Sequence, residues 1–227
     1  MITRRVLAIA VLGVACASAP LSAQSLSRYR VYALEGSVAS IVKTSGAREA
    51  DLKTLHERPA RIQEIEWRAP YRAAGTMAAD PIRNVLFSFY DDQLYRLVVT
   101  YERDRMEGLT DADVIESISA AYEALPMLVR SSAAPPLDLP AETTVVARWD
   151  DGASVLTLVR QGYSREFQLV LISKQLAARA RIAAKAAARL DTQEAPQREL
   201  TQRRKDVADA RAAQEKARAV NKAAFRP

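Results

Sequence analysis

Hydrophobic and polar positions alternate along several stretches of this chain and recur at helical spacing in others, and that pattern predicts its elements. Arg83 to Tyr90 and Gln93 to Glu102 read as neighbouring strands. Val85, Phe87 and Phe89 fall on one side of the first, and Tyr95, Leu97, Val99 and Tyr101 on one side of the second. Asp91-Asp92 between them is predicted to be a two-residue hairpin turn, because short polar side chains tolerate the backbone needed there. Arg61 to Arg68 supplies a strand ahead of this pair. Thr143 to Trp149, Ser154 to Arg160 and Tyr163 to Ile172 repeat the triplet, separated by the turn signals Asp150-Asp151-Gly152 and Gln161-Gly162.

A helix signal precedes each triplet. Ser37 to Val42 reads as a short helix closed by Gly46, and Ala50 to His56 is expected to add a further turn or two before Pro59. Thr110-Asp111-Ala112-Asp113 is a capping-box variant, after which Val114, Ile118, Ala121, Tyr122 and Leu125 share one face until Pro126 ends the helix. The expectation is an α+β fold: two tandem helix-then-three-stranded antiparallel units, about 30–105 and 106–173, forming one domain over 24–173. Trp67 and Trp149 stand near the end of the first strand of each unit.

This element order, with Leu34-Glu35-Gly36-Ser37 ahead of the first helix and the polar hairpin tip Asp91-Asp92, resembles a type of small exported bacterial domain. Such domains occur in outer-membrane-assembly lipoproteins and, as tandem pairs, in β-lactamase-inhibitor-like proteins. The likeness covers roughly residues 30 to 172. Those families show Gly-Met-Thr ahead of the helix and Leu-Gly-x-Pro after it, whereas this chain has Gly36-Ser37-Val38 and lacks the second element. The resemblance implies a fold and a habit of binding proteins in the envelope, and it carries over no catalytic residue.

From Lys174 the pattern changes. Residues 174 to 227 hold 17 alanines and no glycine, so helix is favoured throughout. Two helices are expected, 174–190 and 196–224, the second opening with Pro196 at a tolerated first-turn position. The larger apolar residues form a thin stripe, mostly Leu176, Ala183 and Leu190, so this tail is expected to be exposed, loosely docked and partly flexible, with some coiled-coil character.

Charge sharpens the division. The formal net charge of +6 comes from a +2 N-terminal stretch, a middle of −4 over 24–173 and a tail of +8. A nucleic-acid-binding domain is disfavoured by an acidic middle. The first 23 residues have a basic start (Arg4, Arg5), an apolar run from Val6 to about Ala19, and a small-residue end at Leu21-Ser22-Ala23. That is a secretory signal layout, with cleavage expected between Ala23 and Gln24 and a periplasmic or secreted destination. Gly13-Val14-Ala15-Cys16 offers an alternative, lipidation at Cys16 and membrane anchoring as a lipoprotein.

With one histidine and one cysteine in 227 residues, neither metal site nor cofactor is expected, and most nucleophile chemistry lacks its reagents. His56, beside Glu57, reads as a polar residue at a helix end more readily than as a general base. The pairs Asp91/Asp92 and Asp150/Asp151 invite comparison with two-carboxylate hydrolases, but they sit in predicted turns, where hydration keeps an acid near its ordinary pKa. The aromatics Trp67, Tyr95, Tyr101 and Trp149 read as core or as a protein-binding face. Arg179, Arg181, Lys185, Arg189, Arg203, Arg204 and Lys205 are candidates for contact with an anionic membrane or cell-wall surface. The sequence thus points to an exported, non-catalytic envelope protein that binds a protein partner and touches anionic components through its tail. Two alternatives stand beside it. One is a carboxylate-dependent enzyme acting on a cell-wall or lipid substrate through Glu64, Glu66 or Glu102; the other is a structural envelope spacer built on the tail.

Overall fold

The computed structural model describes residues 25–70, 80–127, 143–162, 166–224 and Arg226. Its framework is a seven-stranded antiparallel sheet of β3 (Lys53–His56), β4 (Ile62–Arg68), β5 (Ile82–Tyr90), β6 (Gln93–Tyr101), β7 (Thr143–Asp150), β8 (Ser154–Gln161) and β9 (Phe167–Ser173). The strands lie in the order β3-β4-β5-β6-β9-β8-β7. A two-stranded ribbon, β1 (Arg28–Tyr29) with β2 (Tyr32–Ala33), and the helices α1 (Val38–Ser45) and α2 (Asp111–Tyr122) pack on one face. The helix α3 (Lys174–Ala224) lies against the other. The protein is therefore α+β with a long C-terminal helix.

The two faces of the sheet are built differently because strand side chains alternate. Val85, Phe87, Phe89, Leu97, Val99, Trp149, Leu156 and Leu158 form the front core, all fully buried, and α1 contributes Val38 and Ile41 while α2 contributes Val114, Ile118 and Tyr122. Truncating one of the large aromatics here to alanine removes about 3–5 kcal/mol of stability. The back face carries smaller apolar groups, Val98, Val155, Val159, Val170 and Ile172, among polar residues such as Ser88, Thr100, Thr157 and Gln168.

The helix ends follow the sequence signals. Ser37 caps α1 by accepting the Ser40 N–H, and Gly46 closes it at φ 70°, a left-handed conformation suited to a residue without Cβ. Thr110 and Asp113 form the expected capping box on α2. That helix stops at Tyr122, however, because Glu123 adopts a left-handed conformation at φ 48°. Leu125 therefore lies beyond the helix and is exposed, and Ala121 is exposed as well, unlike the buried face expected for both.

Three further expectations are corrected. Residues Ala50 to His56 do not extend a helix: one 3₁₀ turn, Glu49–Asp51, is followed by β3, which pairs antiparallel with β4, so sheet-edge pairing overrides the local helical reading. Tyr95 does not share a face with Leu97, Val99 and Tyr101. Ser88 pairs with Arg96 while Phe89 pairs with Leu94, leaving Tyr95 as a bulged extra residue; the bulge turns Leu94 into the front core and Tyr95 onto the back. The tail is one helix of 51 residues with Pro196 inside it. Arg198 braces the turn before that proline by donating to the carbonyl and the carboxylate of Asp191 at 3.0 and 2.9 Å.

The first half of α3 is part of the packed structure, which the loosely docked tail expected from the sequence did not include. Leu176, Ala177, Ala180, Ala183 and Ala187 are buried, at the spacing of one helix face. Alanine lets a helix backbone approach a sheet closely, so α3 settles on β5, β6 and β9 with little apolar bulk. Ala183 packs with Ala60 and Ile62, and Ala177 with the valines of the back face.

Candidate functional site

Carboxylates are the candidates for acid–base chemistry that the sequence raises, and their geometry shows what each one does. Asp91 and Asp92 form the turn at positive φ, 45° and 68°. Asp91 accepts the Arg61 N–H at 2.8 Å and Asp92 accepts the Val38 N–H at 3.1 Å, so the pair ties the β5–β6 hairpin to β4 and to the start of α1. Asp151 accepts the Ala153 and Ser154 N–H groups, closing the β7–β8 turn. Asp150 accepts from Lys174 Nζ, from the Gly152 N–H at 2.8 Å and from Arg148 at 3.0 Å. Lys174 above all, then the Gly152 amide and Arg148, hold its carboxyl down at about 2, well below the near-ordinary value expected for a hydrated turn acid. A carboxylate held ionised in this way cannot serve as a general acid near neutrality. It acts instead as the clamp between the β7–β8 turn and the first residue of α3.

Glu64 and Glu66 lie on the back of β4, half-buried. Glu64 accepts from the Ser88 hydroxyl at 2.8 Å. Glu66 accepts from Arg68 at 3.0 Å and from Asn84 at 2.7 Å, and the Arg68 guanidinium holds it below the usual carboxylate range. Glu102 is exposed. Among the described residues, Asn84 Oδ1, Arg96 Nε and Gln168 Oε1 on the back face are buried without a hydrogen-bond partner.

His56 stands at the end of β3 and not at a helix end. It lines a groove of about 200 Å³ between the β3–β4 turn and α3, together with Leu55, Glu57, Arg58, Ala187, Leu190, Asp191 and Arg198. Two of the nearby acids are engaged: Glu194 takes Arg58 at 3.0 Å, and Asp191 takes Arg198. Sequence reasoning missed this groove, since only the docking of α3 brings residues more than a hundred positions apart into contact.

Three tyrosines form a polar knot on the front side. Tyr29 and Tyr101 share a hydroxyl contact at 3.3 Å, and the Tyr122 hydroxyl donates to the Arg28 carbonyl at 3.0 Å. Burial pushes all three phenols above their ordinary value, Tyr101 most clearly, so they remain neutral hydrogen-bonding groups. Trp149 is fully buried and its indole N–H donates to Ser119 at 3.2 Å. Trp67 and Tyr101 pack at the margin of the front core and Tyr95 at that of the back cluster. Among the described residues the exposed large apolar side chains of the body are others: Val31, Leu55, Leu109, Leu125 and Met127.

The basic candidates Arg179, Arg181, Lys185, Arg189, Arg203, Arg204 and Lys205 are all exposed on α3. From Pro196 to Ala224 every described residue of the helix is exposed over a length of about 43 Å, with Arg198 at its start lining the groove beside His56. Its ion pairs there run along its own surface, such as Arg211 with Glu215 at 3.1 Å. The N-terminal candidates Cys16, Ala23 and Gln24 lie outside the described residues, as does much of the loop after Met127. Among the described residues no group of three or more acid, histidine or cysteine side chains could hold a metal ion, and no helix is long and apolar enough to cross a membrane. No protein-family model matches the chain, and no curated protein or solved structure is significantly similar to it.

Proposed function

We propose that this is an exported, non-catalytic binding protein of the cell envelope, in which the α+β body engages a protein partner and the projecting part of α3 meets an anionic envelope component. The observation that carries the reading is the contrast within α3: its first half presents five buried residues to the sheet, while every described residue from Pro196 to Ala224 is exposed. A helix exposed on all sides lacks the tertiary packing that supplies most helical stability in proteins. The carboxylates support the same reading, since the pairs that resemble an acid–base set serve turns and ion pairs.

The body is read as two related units. β4-β5-β6 meets β9-β8-β7 through its last strand, so that the third strand of one triplet pairs with the third of the other, as a duplicated unit would arrange itself. Exposed Leu109, Leu125 and Met127 give the second unit an apolar margin for a protein partner.

The test is site-specific photocrosslinking in the cell on the full chain, with the reactive group at Leu125, at Met127 or at Ala213 on the projecting part of α3. A discrete protein adduct from the body positions is expected. Failure to trap any protein from them, under conditions that capture known envelope pairs, overturns the partner-binding reading.

A further inference from the structure

We propose that the solvent face of α3 is a lipid-surface site, seating the protein on a bilayer rich in anionic phospholipid with the helix lying between the sheet and the membrane. This rests on the reading of α3 as the contact with an anionic envelope component, and it names that component.

The face can be derived from spacing. At about 100° per residue, the buried residues Leu176, Ala177, Ala180, Ala183 and Ala187 gather on one side of the helix. Arg189 and Val207 lie on the opposite side. Within about 60° of Val207, between Ala178 and Lys222, fall Lys185, Arg189, Arg203, Arg204, Arg211 and Arg218, together with Lys222 itself. None of the helix's six carboxylates does: Asp191, Glu194 and Asp209 turn toward the docked side, and Glu199, Asp206 and Glu215 sit on the flanks. The basic excess of the tail is thereby concentrated on one arc, continuous from the docked half to the projecting half. Adjacency in sequence is misleading here, for Lys205, next to Arg204, falls on the far side with Arg198 and Lys216.

Charge segregation alone would suit any polyanion. The choice of a bilayer comes from what stands between the cations. Ile182, Leu200 and Val207 share the arc and are 70%, 55% and 70% exposed. Apolar side chains gain nothing from a hydrated polymer, whereas at a bilayer they enter the boundary below the headgroups while the arginine stems lie along it with their charges among the phosphates. The arc runs about 54 Å from Ile182 to Arg218, matching a flat surface better than a pocket. The sheet docked behind α3 fixes the orientation, because only this face of the helix is available along its first half.

Vesicle co-sedimentation of the full chain tests the proposal, using phosphatidylglycerol mixed with phosphatidylcholine against phosphatidylcholine alone, with soluble polyphosphate and purified cell-wall polymer as competing polyanions. Binding to the anionic vesicles that falls with added salt is expected. Arg189→Gln with Arg204→Gln and Arg211→Gln should weaken it on the order of a hundredfold, at about fivefold per cation. The matched variant Arg198→Gln, Lys205→Gln, Lys216→Gln should weaken it by less than tenfold. Ile182→Ser with Leu200→Ser and Val207→Ser should lower vesicle binding and leave polyphosphate binding unchanged. All these residues are exposed, and unchanged melting confirms that each variant folds. Equal loss in the two arginine and lysine sets overturns the stripe. Binding to cell-wall polymer or polyphosphate without binding to vesicles overturns the lipid assignment and leaves the anionic-component reading standing; binding to none of them overturns both.

Discussion

The two halves of α3 share one secondary structure, yet one is core and the other is a projection. Lys174 to Leu190 buries five residues, one leucine and four alanines, and Pro196 to Ala224 buries none. Helix propensity does not separate them, since both are rich in alanine, arginine and lysine. The difference lies in which positions are small. In the first half the alanines at 177, 180, 183 and 187 are in register on one face and Leu176 anchors the end, so the backbone can lie on the sheet. In the second half the corresponding line carries Arg198, Lys205, Asp209 and Lys216, which a sheet cannot cover without leaving charges buried. Docking is therefore decided by a line of residues too small to stand out in hydropathy, and its end is decided by charge.

Matched substitutions break or sharpen this contrast. Leu176→Ala should lower unfolding stability by about 2–4 kcal/mol, whereas Leu200→Ala should stay within about 0.5 kcal/mol, both read from denaturant midpoints. Ala180→Leu should cost about 1–3 kcal/mol through overpacking against the sheet, while Ala217→Leu, on the projecting half, should again fall within about 0.5 kcal/mol.

The clamp at the start of the docked half gives a pH test. The Asp150 carboxyl is held at about 2, below its ordinary 3.8. Its contribution is therefore present above about pH 4 and is lost as pH falls through about 2. Allowing for screening, Asp150→Asn should remove about 1–2 kcal/mol at neutral pH and flatten the acid limb of the stability profile. Glu215→Gln, which breaks the exposed pair with Arg211, should change stability by about 0.5 kcal/mol or less. Pro196→Ala should leave the unfolding midpoint within about 0.5 kcal/mol but raise helical ellipticity, since proline costs a helix interior about 3 kcal/mol relative to alanine.

Most of the front core was legible in the sequence, because alternation exposes strands whose one face is large and apolar: Phe87, Phe89, Leu97 and Trp149 declare themselves. The helix ends at Gly46, Thr110 and Asp113 were legible because short-range chemistry specifies them, whereas Ser37, read as the first helical residue, is the cap. What escaped depended on distant pairing. β3 is an edge strand whose Lys53-Thr54-Leu55-His56 shows no strong pattern and exists by pairing with β4. The Tyr95 bulge reverses a face without any change in composition. The docking of α3 was hidden because alanines read as helix formers and not as contacts. The candidate site was legible as a set of basic residues, though not as a surface: the run Arg203-Arg204-Lys205 looked like one cluster, and helical geometry splits it between two sides.

The most direct measurement is amide hydrogen exchange along α3 in the full chain, without and with anionic vesicles. Protection over Leu176 to Ala187 comparable to that of β6 and β9 is expected, with rapid exchange from Pro196 to Ala224 in solution and protection of that second segment once vesicles are added. Strong protection of both halves without vesicles, or rapid exchange in the first half, would contradict the contrast between them.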